Sequence, residues 1–78
     1  MQKKLDELEV ELSQRIYKLF QTKFEGNNSA FARAAGCHEK TVRRIFNNEQ
    51  GLTVNLLFKF CSALDITPSN LIDGLHSN

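Results

Sequence analysis

The chain has little that would announce a chemistry. Its 78 residues hold two cysteines, Cys37 and Cys61, one proline, Pro68, and four glycines. Two cysteines so far apart make no disulfide framework. A free cysteine ordinarily behaves as a small buried hydrophobe, so a Cys37–Cys61 bridge is the disfavoured reading. No apolar run approaches the ~20 residues of a membrane-spanning helix. The start Met1-Gln2-Lys3-Lys4 is not followed by an apolar signal core. The chain therefore reads as soluble and cytoplasmic. No Pro-, Gly- or Ser-rich linker, internal repeat or low-complexity segment divides it. Nor does one charge dominate, since ten Lys and Arg against nine Asp and Glu leave +1. That excludes the strongly basic composition (pI above about 9) by which many nucleic-acid binders are recognised. Any such activity has to rest on where the charges sit.

What is present is a core. The hydrophobic fraction is 41%, with six Phe and one Tyr, which argues against disorder. A mass of 8.9 kDa fits one small domain. A chain of this size buries about 60% of its unfolded surface, enough for a single marginal core.

The apolar spacing is helical throughout. Leu5, Leu8, Leu12, Ile16, Leu19, Phe20 and Phe24 follow steps of three and four, the period of an amphipathic helix. Gly26 is a stop signal, and Asn27, Asn28 and Ser29 are cap candidates for a second helix over Ser29–Ala35. Its alanines favour helix and allow close packing. Gly36 ends it. A third helix is predicted from Glu39 to about Asn47, opened by His38, with Val42, Ile45 and Phe46 on its buried side. The stretch from Asn47 to Gly51 is a polar turn. Thr53 caps a fourth helix, Val54–Leu64, whose buried stripe is Leu56, Leu57, Phe60, Cys61 and Leu64. Thr67-Pro68 opens a short fifth helix through Leu71 and Ile72, ending near Gly74, because proline at the first helical position loses no hydrogen bond. The fold class expected is all-α: a five-helix bundle with an extended first helix.

Two short helices joined at Gly36 are the sequence form of a helix-turn-helix. From Asn28 to Ile72 the chain resembles the lambda-repressor-like (phage repressor, or Xre-type) helix-turn-helix domains, without a gap. Phe31-Ala32 stand where that family has Leu-Ala, and Gly36 stands at its turn glycine. Cys37, Val42 and Ile45 fall on its small apolar packing positions. Leu57, Ala63 and Leu64 match its fourth helix, and Pro68 and Leu71 its fifth. About 45 of the 78 residues are covered. No single match is diagnostic, but the ordered set is a strong signal.

The resemblance implies double-stranded DNA as partner, and transcriptional regulation. It puts Glu39, Lys40, Arg43 and Arg44 against base edges, with Arg43 and Lys40 foremost. The chemistry suits those positions. A helix fits the major groove, Arg or Lys donates to guanine O6 and N7, and Glu accepts from the cytosine amino group. Thr41 is placed for a phosphate or a thymine methyl, and His38 for the DNA backbone. Amides at the second helix's start can face a phosphate, with Asn27 or Asn28 capping or donating. Asn28 is a shorter stand-in for the family's usual Gln. Asn47, Asn48 and Gln50 are either further neutral donors to the backbone or ordinary turn residues. The competing reading of the charged face is plain solvation.

The charge map favours the DNA reading. Residues 1–26 balance five basic against five acidic side chains. Residues 27–50 carry Arg33, Lys40, Arg43 and Arg44 against Glu39 and Glu49, a balance of +2. Residues 51–78 carry Lys59 against Asp65 and Asp73, a balance of −1.

Two departures from the family pattern stand out. An Arg late in helix one and a Glu ending the recognition helix often pair inside such domains, and here those positions are Gln21 and Phe46. Both halves are missing together, so no lone charge is buried, and a core Phe offsets the pair. The second is Asn48, where the family commonly has Gly; Asn tolerates the left-handed conformation well enough for the turn to survive.

The chain is organised as one domain, with an N-terminal helical extension over 1–14, a helix-turn-helix over 28–47 and C-terminal helices over 53–74. The extension adds Leu5, Leu8, Val10 and Leu12 to the family's usual start. It either pairs with a second copy, since a projecting apolar stripe otherwise stays wet, or folds back on its own core. A zinc site from Cys37, His38, Cys61 and His76 lacks paired-ligand spacing. Adjacent Cys37 and His38 point in different directions and make no nucleophilic dyad. No phosphate-cradling glycine loop appears either, so neither cofactor, metal nor enzyme activity is expected. The rival from another class is a helix-turn-helix scaffold for protein interaction, antitoxin-like, with little DNA affinity.

Overall fold

The computed structural model describes residues 7–73. It contains α1 (Glu7–Phe24), α2 (Asn28–Ala35), α3 (Glu39–Phe46), α4 (Val54–Leu64) and α5 (Pro68–Ile72). No strand occurs among the described residues. The bounds of α4 agree with those read from the sequence. Leu5 and the stop at Gly74 lie outside the described residues, as does His76.

Local chemistry explains the boundaries. Asn27 caps α2, its Oδ1 accepting from the Ala30 amide at 3.0 Å, so Asn28 is the first helical residue rather than a cap. Thr53 and Thr67 do the same for α4 and α5, each at 3.1 Å to the third residue on. A short side chain that satisfies one of the free amides of a first turn is the usual means of starting a helix. α3 differs: His38 adopts an extended conformation before it, and its imidazole makes no capping hydrogen bond.

Three helices end in left-handed residues. Gly36, at φ 77°, closes α2 by donating to Ala32 O at 2.8 Å, while the Cys37 amide reaches the same carbonyl at 3.0 Å. This paired closure satisfies carbonyls that the last turn leaves open. α1 ends through Glu25 and Gly26, both at positive φ, and α4 ends at Asp65, φ 58°. α3 stops one residue earlier than expected, at Phe46, and Asn48 takes φ 60° in the loop beyond. The asparagine therefore does adopt the left-handed turn that the resemblance required of it.

All five helices meet in one core. Ile16 and Phe20 come from α1, Phe31, Ala32 and Ala35 from α2, Val42 and Ile45 from α3, Phe60, Cys61 and Leu64 from α4, and Leu71 from α5. Tyr17, Phe20, Phe24, Phe31, Phe46 and Phe60 form a continuous aromatic cluster, with ring centroids 4.9 to 6.1 Å apart in contacting pairs. Such tilted and edge-on pairs add attraction beyond the area they bury. Phe46 stands edge-on to Tyr17 in this cluster. Gln21 donates its side-chain amide to the Tyr17 hydroxyl on the surface. Phe58 is left outside, 55% exposed.

The predicted stripes are less deeply buried at their edges than their spacing suggests. Leu12, Leu19, Phe24, Leu56 and Leu57 are half-buried and pack against the core from its rim. At the start of α1, Leu8 is 38% exposed while Ser13 is buried. α1 packs on α5 as well as on α2, α3 and α4. Arg15 tightens that contact by donating Nη1 to the carbonyls of Leu71, at 2.8 Å, and Asp73.

Candidate nucleic-acid interface

α2 and α3 each pack one side into the core and leave the other open. α2 and α3 pack more extensively on each other than any other two helices do. α3 is the most strongly amphipathic of the four longer helices. Val42 and Ile45 are fully buried, and Phe46 is half-buried beside them. On the opposite side Lys40, Arg43 and Arg44 are exposed. Glu39 and Thr41 are half-buried at the flank. A helix of eight residues anchored by two aliphatic side chains presents three cations to solvent.

The backbone-contact candidates separate into groups. Asn28, Arg43 and Asn47 line one shallow notch of about 230 Å³ together with Tyr17 and Phe46. Asn47 and Asn48 line a second, of about 210 Å³, with Ser13, Gln14 and Tyr17. Asn27 is occupied as the cap of α2, and His38 is exposed ahead of α3. Gln50 is half-buried and lines neither notch. Asn48 also carries the left-handed turn, so its conformation already has a local cause.

Two residues near this face escaped the sequence reading. Tyr17 is 42% exposed and belongs to both notches. It sits one position off the apolar stripe of α1, which is why periodicity passed over it. Ser29, read only as a cap candidate, instead donates to Glu39 Oε1 at 3.2 Å across the turn. A contact ten residues apart around a glycine turn leaves no periodic signal.

Residues 13–73 match the sequence model of the Cro/C1-type helix-turn-helix DNA-binding domain. The chain belongs to that family. Comparisons with curated proteins and with solved structures found no match. The match begins at Ser13, six residues after α1 does, and runs through α5.

Among the described residues no group of three His, Cys, Asp or Glu side chains is placed to hold a metal ion. No helix among them is long and apolar enough to cross a membrane. Cys37 and Cys61 are both free thiols. Burial pushes both thiols above the ordinary range, and at Cys37 the nearby Lys59 ammonium partly opposes it. Lys59 itself donates to Gly36 O at 3.4 Å, placing a cation at the carboxyl end of α2, where the helix dipole favours it.

Proposed function

We propose that this Cro/C1-type domain is a transcriptional regulator that binds double-stranded DNA sequence-specifically, with α3 in the major groove. The observation that carries the reading is the division of α3 between buried Val42 and Ile45 and exposed Lys40, Arg43 and Arg44. An α-helix fits the groove, and long cationic side chains reach the guanine acceptors there. Lys40, Arg43 and Arg44 are the base-reading candidates on the exposed face, with Glu39 beside them. Thr41, His38, Asn27, Asn28, Asn47, Asn48 and Gln50 are the candidates for the sugar-phosphate backbone, which positions a reading helix without itself specifying sequence.

The domain acts as a homodimer through its N-terminal helix, with the helix-turn-helix over 28–47 as the reading unit and no catalytic role. Two observations support a second copy. A net charge of +1 supplies weak non-specific attraction, so useful affinity calls for two reading heads on half-sites about 34–36 Å apart. Leu12 and Ile72 also border an apolar groove of about 300 Å³ at the start of α1. Val54 and Phe58, exposed one turn apart on α4, favour the alternative that the scaffold binds another protein instead.

Titration of the full chain with pooled duplex DNA at two salt concentrations separates the two readings. The expected result is an affinity that falls steeply with salt through counterion release, and that is lost when Arg43 and Arg44 are both replaced by Ala in a still-folded chain. Salt-independent or absent binding overturns the DNA reading. Unchanged affinity in the double variant overturns the choice of α3.

A further inference from the structure

Glu39 stands first on α3, where a carboxylate would be expected to reach a cytosine amino group. Both of its oxygens are already engaged within the protein. Oε1 accepts from Ser29 Oγ of α2 at 3.2 Å. Oε2 lies 3.9 Å from Arg43 Nη1, one turn further along α3. One carboxylate thus ties the first turn of α2 to an exposed guanidinium on α3.

The geometry has a direction. In a helix, long side chains lean toward the N-terminus, and an acidic residue four positions before a basic one is the favourable order. The Glu39 carboxylate therefore draws Arg43 toward the amino end of α3, the end that contacts base edges in helix-turn-helix complexes. A guanidinium has five N–H donors, so one contact with Glu39 leaves others for guanine O6 and N7. Each carboxylate oxygen can accept a further bond, so occupancy alone does not keep Glu39 from a base; what weighs against it is the approach of a negative charge to the phosphates, which its pairing with Arg43 offsets.

We propose that Glu39 and Ser29 are positioning residues that hold Arg43 for guanine recognition, and that Glu39 does not itself read a base. This rests on the DNA-binding function proposed above. Because the ion pair is well exposed, it contributes little to stability. Its effect appears in base preference instead.

Selection of bound sequences from a random duplex library tests this with the full chain. The variants are Arg43→Ala, Glu39→Ala, Ser29→Ala and Ser29→Thr, each with its melting curve. Arg43→Ala identifies the base step that Arg43 reads. Glu39→Ala is expected to weaken the guanine preference at that same step by about tenfold, while total affinity for DNA rises because an anion has gone. Ser29→Ala relaxes the same step by a smaller factor, and Ser29→Thr, which keeps the hydroxyl, restores it. Should Glu39→Ala not fold, Glu39→Gln, which keeps the acceptor for Ser29 and loses the charge, is expected to relax that step too. Loss of a cytosine preference at a different step, with the Arg43 step intact, overturns the proposal. So does a Ser29→Ala chain with unaltered preference. A wild-type chain that selects no sequence overturns the DNA-binding reading itself, which is a separate and recognisable outcome.

Discussion

The Arg15 guanidinium of α1 donates to the carbonyl oxygen of Leu71, 56 positions along the chain, at 2.8 Å. With its second bond to Asp73 O, it closes the carboxyl end of α5 from outside that helix. α5 has five residues, too few to persist alone, and Leu71 is fully buried. Its place in the fold therefore depends on packing and on this charged donor.

Arg15→Ala is expected to lower stability by about 1.5–3 kcal/mol, the range for a hydrogen bond to a charged group. For a domain of this size each kcal/mol moves the melting temperature by about 4–8 °C. Lys at this position recovers part of the loss, because its single ammonium lacks the guanidinium's fork. Thermal unfolding of the three chains checks the order wild type, Lys, Ala.

Two helix ends make opposite predictions from one cause. A Cβ built at Gly36 meets nothing within 4 Å, so Gly36→Ala costs only the left-handed backbone, about 1–2 kcal/mol. Asp65 holds the same conformation at the end of α4 and adds a negative charge where the helix dipole disfavours one. Asp65→Gly is therefore expected to stabilise by about 1 kcal/mol. Denaturant midpoints of both variants measure it.

Much of this was legible in the sequence, and what was not has a common physical reason. The α4 bounds and the placing of Phe46 on the buried side follow from spacing and cap chemistry, which are local, while the left-handed turn at Asn48 follows from the family resemblance. The exposed cations of α3 follow from the same periodicity read on its other face. The Arg15 clamp on α5 and the Ser29–Glu39 contact join residues with no periodic relation, and only the packed fold brings them together. Asp65 escaped because a left-handed helix end at aspartate is uncommon enough for glycine to be sought first.

The thiols tie stability to alkaline pH. Burial raises the folded pKa of Cys61 and Cys37 above the unfolded value, so the fold favours the protonated thiols. The associated stability is complete below the unfolded value, about 8.5, and is lost as pH rises through the folded one. Above about pH 9 the melting temperature is expected to fall more steeply in the wild type than in Cys61→Ala. The slopes, compared within each chain, isolate the thiol from the separate packing cost of the substitution.

Sedimentation of the full chain against one shortened to begin at Ser13 tests self-association. The full chain is expected to sediment as a dimer at tens of micromolar, and the shortened one as a monomer that stays folded, since the core residues of α1, Ile16 and Phe20, lie beyond the cut. If both run as monomers, the N-terminal helix is not the dimer contact.

The division of α3 also bears on how such a protein changes over generations. Val42 and Ile45 hold the helix in place, while Lys40, Arg43 and Arg44 are exposed to solvent. On the proposed reading of DNA by α3, a mutation at 40, 43 or 44 samples a new preference at little risk to folding. On that reading, preference and foldability rest largely on separate residues. A duplicated copy could drift to a new target site through substitutions at those three positions while the rest of the domain remained under its old constraints.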